Sequence, residues 1–252
     1  VIDATGDAEV ANRAGAQMDA GTSYSHSGMY LAMADVDEQA YNRFVEAAPP
    51  TDPDDVEWIR QQAAAFGLTW PGQLNPLLPI LRHAWSKGEY RFIEPVGEIA
   101  GITLDHGLYF SRQHPGIVGA QVGVRGGDLH CGDAAVMNEL ECGARRYIFE
   151  TARFFRHHVP GFEASYLHAT SPYFHTRGGR SAVCDYVLTK EDVARGARFP
   201  DALFRTWGSE VREGEFTPEG FEFPYRQFLP RGVEGLLMAG RSAIVQPPVN
   251  RT

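Results

Sequence analysis

Cysteine is scarce: Cys131, Cys142 and Cys184 are the only three in 252 residues, and none forms a CxxC pair. An odd, dispersed set argues against a disulfide framework and for reduced thiols in an intracellular compartment. Long apolar runs are missing too. The uncharged stretch 67–81 carries Pro71, Pro76 and Pro79 and falls short of the ~18 residues a spanning helix needs. No charged leader precedes an apolar block, so no signal peptide is read and the cytoplasm is the expected compartment. Positive charge is also thin, with 23 Lys and Arg against 32 Asp and Glu and a net charge of −9. Binding to duplex nucleic acid needs a basic stripe that releases counterions. The densest basic group here, Arg145, Arg146, Arg153, Arg156, His157 and His158, reads as a solvated helix face. Neither nucleic acid nor membrane is an expected partner.

What is present is a globular mixture, 43% hydrophobic and 22% charged, long enough to bury a sizeable core. Helix starts are marked clearly. Asp37 precedes Tyr41, Phe44 and Val45 on one face, and Asp52-Pro53-Asp54-Asp55 combines a cap, an early proline and acids that suit the helix dipole. Asn75-Pro76 opens a helix with Leu77, Ile80, Leu81 and Ala84 inward and Gly88 as its stop. Asp133 caps a long helix to about His158, ended by Pro160-Gly161, and Thr189 with Asp192 reads as a capping box. Short β runs are expected at 90–93, 107–112, 117–124 and 181–188.

The two ends of the chain resemble each other. Val1 to Ala4 runs into Thr5-Gly6-Asp7, and the apolar run 233–239 runs into Gly240-Arg241. Each is a strand ending in glycine, the place where open α/β sheets bind ligands. A G-x-G-x-x-G turn after a first strand is absent; Gly119, Gly123, Gly126 and Gly127 lack its spacing. The chain opens without Met inside an apolar strand, so we read it as a segment of a longer protein.

From Val1-Ile2-Asp3-Ala4-Thr5-Gly6-Asp7-Ala8-Glu9-Val10-Ala11 onward the chain resembles the FAD-dependent oxidoreductases related to the heterodisulfide reductase A subunit. The resemblance continues at Gly127-Asp128, at 159–163, from Arg177 through 186–193 and 199–201, at 224–230, and at Leu236-Leu237-Met238-Ala239-Gly240-Arg241-Ser242. It implies an α+β chain: portions of an FAD-type α/β domain at both termini (1–20 and 228–252) with an inserted β-rich substrate domain (21–227). Carried over by position, Ala4, Thr5, Gly6, Asp7, Gly240, Arg241 and Ser242 border FAD. The implied activity is flavin-mediated hydride transfer on a small-molecule substrate, with an electron-transfer partner or a second copy as further partners. An alternative is a non-catalytic remnant, or a binding subunit that does not hold FAD by itself.

On the substrate side, Arg177 and Arg180 are candidates because a guanidinium orients a carboxylate and stabilises charge on reduced flavin. His175 is a candidate acid or base, since imidazole titrates near neutrality. Arg226 reads instead as a structural lock. No metal is expected: neighbouring His130 and Cys131 cannot easily share one ion, and no second ligand pair has zinc spacing. Some relatives carry iron–sulfur clusters, but the cysteine runs these require are missing.

Overall fold

A computed structural model describes residues 1–19, 27–66, 75–97, 100–104, 107–124, 133–176, 179–207 and 219–243. The elements in chain order are β1 (Ile2–Asp3), α1 (Glu9–Arg13), β2 (Met18–Asp19), β3 (Ser27–Ala34), α2 (Glu38–Ala47), α3 (Pro53–Ala64) and α4 (Leu78–Ser86). They continue with β4 (Ile93–Val96), β5 (Ala100–Leu104), β6 (Tyr109–Phe110), β7 (Val118–Val124), α5 (Ala134–His158) and β8 (Tyr166–Thr170). The last are β9 (Ser181–Ala182), α6 (Lys190–Ala194), β10 (Ala202–Thr206), β11 (Phe221–Pro224) and β12 (Leu237–Met238). This is the α+β mixture expected. No helix among the described residues is long and apolar enough to cross a membrane.

The chain forms two compact units: one from 1–23, 130–132 and 177–252, the other from 24–129 and 133–176. Residues 177–227 therefore group with the two ends, whereas the expected insert ran on to 227.

The second unit is built on a six-stranded antiparallel sheet ordered β4-β5-β7-β3-β8, with β6 sharing an edge of β7. Side chains alternate across a strand, and Met29, Leu31 and Met33 of β3 share a face with Val122, Ala120 and Val118 of β7. All six are buried, and α5 crosses the sheet with Leu140, Ala144, Tyr147, Ile148 and Phe155 inward. Within this packing the Tyr147 hydroxyl donates to the Phe92 carbonyl at 2.6 Å and accepts from Tyr90 at 2.7 Å. Burial pushes both phenols well above their usual range.

The caps expected from sequence form at Asp37, Asp52 and Asp133, each accepting a backbone N–H from the first turn of its helix. Two details differ. Leu77, Leu81 and Ala84 are buried as expected, but Leu78 and not Ile80 completes the buried stripe of α4. Val45 is exposed, as α2 buries only Tyr41 fully.

The first unit has short strand pairs and a small-residue core: Ala8, Ala11, Ala16, Ala182, Cys184, Leu236, Met238 and Ala243. Cys184 lies inside it, and burial pushes its thiol up to about 11, so it packs as an inert apolar residue. The expected strand over 181–188 shrinks to β9 because 185–192 turns to bring the Tyr186 hydroxyl onto Asp192 at 2.7 Å. The Thr189–Asp192 capping box forms beside it. The expected strand at 233–239 shrinks to β12, since Gly235 at φ +72° bends the chain just before it.

Candidate functional site

Two strand ends separated by more than 230 residues lie side by side in the first unit. β1 and β12 pair in parallel, Ile2 with Leu237 and Asp3 with Met238, so both chains leave the pair at the same end. There Ala4-Thr5-Gly6-Asp7 meets Ala239-Gly240-Arg241-Ser242.

Asp3 shapes the first of these turns. Its side chain is fully buried. Oδ1 accepts from the Thr5 N–H (3.0 Å) and hydroxyl (2.7 Å), and Oδ2 accepts from the Ala11 N–H at 2.8 Å. Burial alone raises this carboxyl's pKa, but the hydrogen bonds from Thr5, Ala11 and Val10 outweigh it and hold the group below its ordinary value. The Thr5 hydroxyl in turn accepts the Glu9 N–H at 2.9 Å. The turn and the start of α1 are thus tied to one carboxylate. Sequence reasoning missed Asp3, although an acid inside an apolar strand is the signal that marks it.

Gly6 follows at φ +83° and Gly240 at φ +75°, conformations that favour glycine. A Cβ on Gly6 would stand 2.9 Å from the Arg241 guanidinium, whereas one on Gly240 would meet no atom within 4 Å among the described residues. Arg241 lies across the first turn and donates to Asp7 Oδ2 at 2.9 Å. The other oxygen, Asp7 Oδ1, is buried with no partner among the described residues. Gly179 approaches it so closely that a Cβ there would fall 2.0 Å away.

Arg180 belongs to the same cluster. It donates to Glu9 at 2.6 Å and to the Asp7 carbonyl at 3.3 Å. The hydrogen bond from Arg180 holds the Glu9 carboxyl below its usual range, with Arg13 adding to the effect. The cluster therefore alternates acid and base and leaves no large local charge.

The structure thus brings Ala4, Thr5, Gly6, Asp7, Gly240, Arg241, Ser242 and Arg180 together. Arg177 lies outside the described residues, as do His130 and Cys131. His175 belongs to the second unit, where its backbone bridges Gly28 and its ring stacks on Tyr30 at 5.4 Å, within 5° of parallel. Arg226 is engaged in the first unit: it pairs with Asp201, and its guanidinium lies 4.8 Å over the Tyr186 ring and 5.2 Å over Phe199. That is the lock expected of it.

A comparison with protein families matches the chain to the FAD dependent oxidoreductase family over residues 1–246. No curated protein and no solved structure matches the chain.

Proposed function

The chain belongs to the family of FAD-dependent oxidoreductases, and we propose that its paired strand ends form one side of an FAD site serving hydride transfer on a small organic substrate. One observation carries this reading. The carboxyl ends of the parallel pair β1–β12 open into two glycine turns clasped by Arg241 and Asp7, and open sheets of this kind hold ligands beyond their strand ends.

The residues fit an extended, polar cofactor. Gly240 turns bare backbone toward open space, and the buried, unpartnered Asp7 Oδ1 is an acceptor that a ribityl hydroxyl can satisfy. Bound FAD supplies the hydride chemistry. The protein's part is positional. Asp3 fixes the first turn, Gly6 and Gly240 admit close approach, and Arg241 places a positive charge beside Asp7. Arg180, tied to Glu9 and the Asp7 carbonyl, braces this end. As a finer reading we propose kinship with the heterodisulfide reductase A subunit, supported by the ordered run of motifs from Val1-Ile2-Asp3 to Gly240-Arg241-Ser242.

Titration of the purified protein with FAD, followed by flavin fluorescence, tests the site. One equivalent bound is expected, with at least tenfold weaker binding in Gly240→Val and none of that loss in Gly88→Asn, a positive-φ glycine of the second unit. No retained flavin at excess FAD, or equal loss in both variants, refutes the proposal.

A further inference from the structure

The hairpin of the first unit leaves one of its two edges open. β10 and β11 form a two-stranded sheet, with Phe204 opposite Phe223, Arg205 opposite Glu222 and Thr206 opposite Phe221. The outer side of β11 is closed. There the Glu222 N–H donates to the Ala197 carbonyl at 3.1 Å, and the Glu222 carboxylate accepts the Phe199 N–H at 3.0 Å. That Glu222 N–H points away from β10, so Arg205 and Glu222 face each other without ladder bonds between them. Bonding alternates along an antiparallel pair. The Arg205 N–H and C=O are therefore turned to the outer edge of β10, where no strand lies among the described residues.

The side chains on this edge are those of a strand that takes a partner. Leu203 is 55% exposed and Phe204 49%, with Ala202 and Arg205 exposed beside them. Phe204 is not loose: its ring stacks on Phe223 at 4.7 Å. Edge strands commonly carry lysine or proline to refuse a second strand, and 202–206 has neither. Its one charge, Arg205, is held by Glu222 at 2.9 Å. An edge of backbone groups and apolar side chains, whose single charge is already paired, fits a strand of the same kind. β10 is such a strand.

We propose that β10 pairs antiparallel with β10 of a second copy about a two-fold axis, joining two hairpins into one four-stranded sheet. With Phe204 set against Phe204, the Phe223–Phe204 row runs on into its counterpart, and the two Arg205 side chains lie diagonal instead of opposed. The contact is small. At about half exposure, Leu203, Phe204 and Trp207 present roughly 300 Å² per copy. Two such patches and their backbone fall below the ~1,200 Å² of stable interfaces. A bulge between Ala202 and Phe204 also shortens the regular stretch. The dimer is accordingly weak, with a Kd on the order of 100 µM. Nothing in it rests on the flavin reading.

Sedimentation velocity of the full chain without FAD, from about 10 µM to about 1 mM, is expected to show monomer passing into dimer. Leu203→Lys places a guarding charge on the edge at a position exposed in the monomer, and is expected to weaken association at least tenfold with an unchanged circular dichroism spectrum. Tyr173→Lys makes the same change of charge at an exposed aromatic of the second unit and should associate as the wild type does. Amide hydrogen exchange locates the contact. Exchange at Arg205 should slow severalfold across the concentration range, while Phe204, whose N–H faces β11, stays constant. The proposal is overturned if the chain remains monomeric at the highest concentration or if Leu203→Lys associates like the wild type. Equal weakening in Tyr173→Lys, or a dimer that leaves Arg205 exchange unchanged, overturns it as well.

Discussion

Replacing Asp3 by Asn changes one oxygen to an amide and leaves the side-chain shape nearly untouched. Oδ1 serves two donors of Thr5 and Oδ2 serves the Ala11 N–H, so an amide in either orientation faces a donor with a donor. With Oδ1 kept as oxygen, the Ala11 N–H is left buried and unpaired. An unsatisfied buried donor costs about 1–3 kcal/mol, and loss of the charge from the remaining bonds adds to this. We expect Asp3→Asn to destabilise the first unit by about 2–3 kcal/mol, because the side chain is fully buried and water cannot replace the lost bond. Hydrogen exchange at the Ala11 amide should accelerate at least thirtyfold, since 1.4 kcal/mol is a factor of ten. FAD binding should weaken in parallel, because the turn over Thr5-Gly6-Asp7 loses its anchor. The pH dependence has a definite sign. The Asp3 carboxyl titrates below its ordinary 3.8, so the stabilisation is present above that value and fades as pH falls through the lower folded value. Asp3→Asn should flatten this acid limb. Wild-type exchange at Ala11, or a stability within ~0.5 kcal/mol of wild type, would refute the reasoning.

Arg241→Gln should weaken FAD binding about tenfold yet change stability by less than about 1 kcal/mol, because the Arg241–Asp7 pair is about a third exposed and such pairs contribute little; urea melts beside FAD titration check both. Arg180→Ala should return the Glu9 carboxyl toward its usual pKa, read from its side-chain NMR titration, since Arg180 is the main cause of its lowering. Tyr147→Phe removes the buried hydroxyl that donates to the Phe92 carbonyl and accepts from Tyr90, and should cost about 1–3 kcal/mol by thermal melting. The two phenols of Tyr90 and Tyr147 titrate above the ordinary 10, so the stability they confer is present below pH 10 and is lost as pH rises beyond it; their ionisation at 295 nm should coincide with unfolding.

Local chemistry was legible and pairing was not. The caps at Asp37, Asp52, Asp133 and Thr189 depend on residues one turn away, so they could be read directly. The hairpin β10–β11 depends on partners 15 or more residues apart, Thr206 with Phe221 being the nearest, and its first strand is mostly exposed with no alternation. β5 and the edge strand β8 escaped notice for the same reason: one is five residues long, and the other shows no period of two. At the site, the glycine turns were visible because glycine after an apolar run is a local sign. The carboxylate that orders one of them was not, because its partners include Ala11, eight residues on. Arg180 was visible as a charge, but its task as a brace between Glu9 and the Asp7 carbonyl is a property of the fold.

The strand pair at the site is too short to hold itself. β1 and β12 contribute two residues each, and an isolated two-stranded pair is marginal even when longer. Closing so long an intervening loop carries an entropic cost that grows only slowly with length, yet two ladder steps do not offset it. The remaining stabilisation comes from the alanine-rich core beneath the strands, from Asp3, and from the partly exposed pairs Arg241–Asp7 and Arg180–Glu9. These exposed ion pairs contribute little. The first unit therefore has a small margin at the very end where the cofactor is proposed to sit. A ligand that binds only the ordered strand ends stabilises them by mass action, about 2.7 kcal/mol at a hundred times its Kd. FAD at that excess should consequently slow exchange at the Leu237 and Ala239 amides, which donate to the carbonyls of Val1 and Asp3, by up to about a hundredfold. It should leave the Tyr30 amide, held by Ser171 in the second unit, unchanged. Equal protection of both would mean general stabilisation and would remove the strand ends as the binding site.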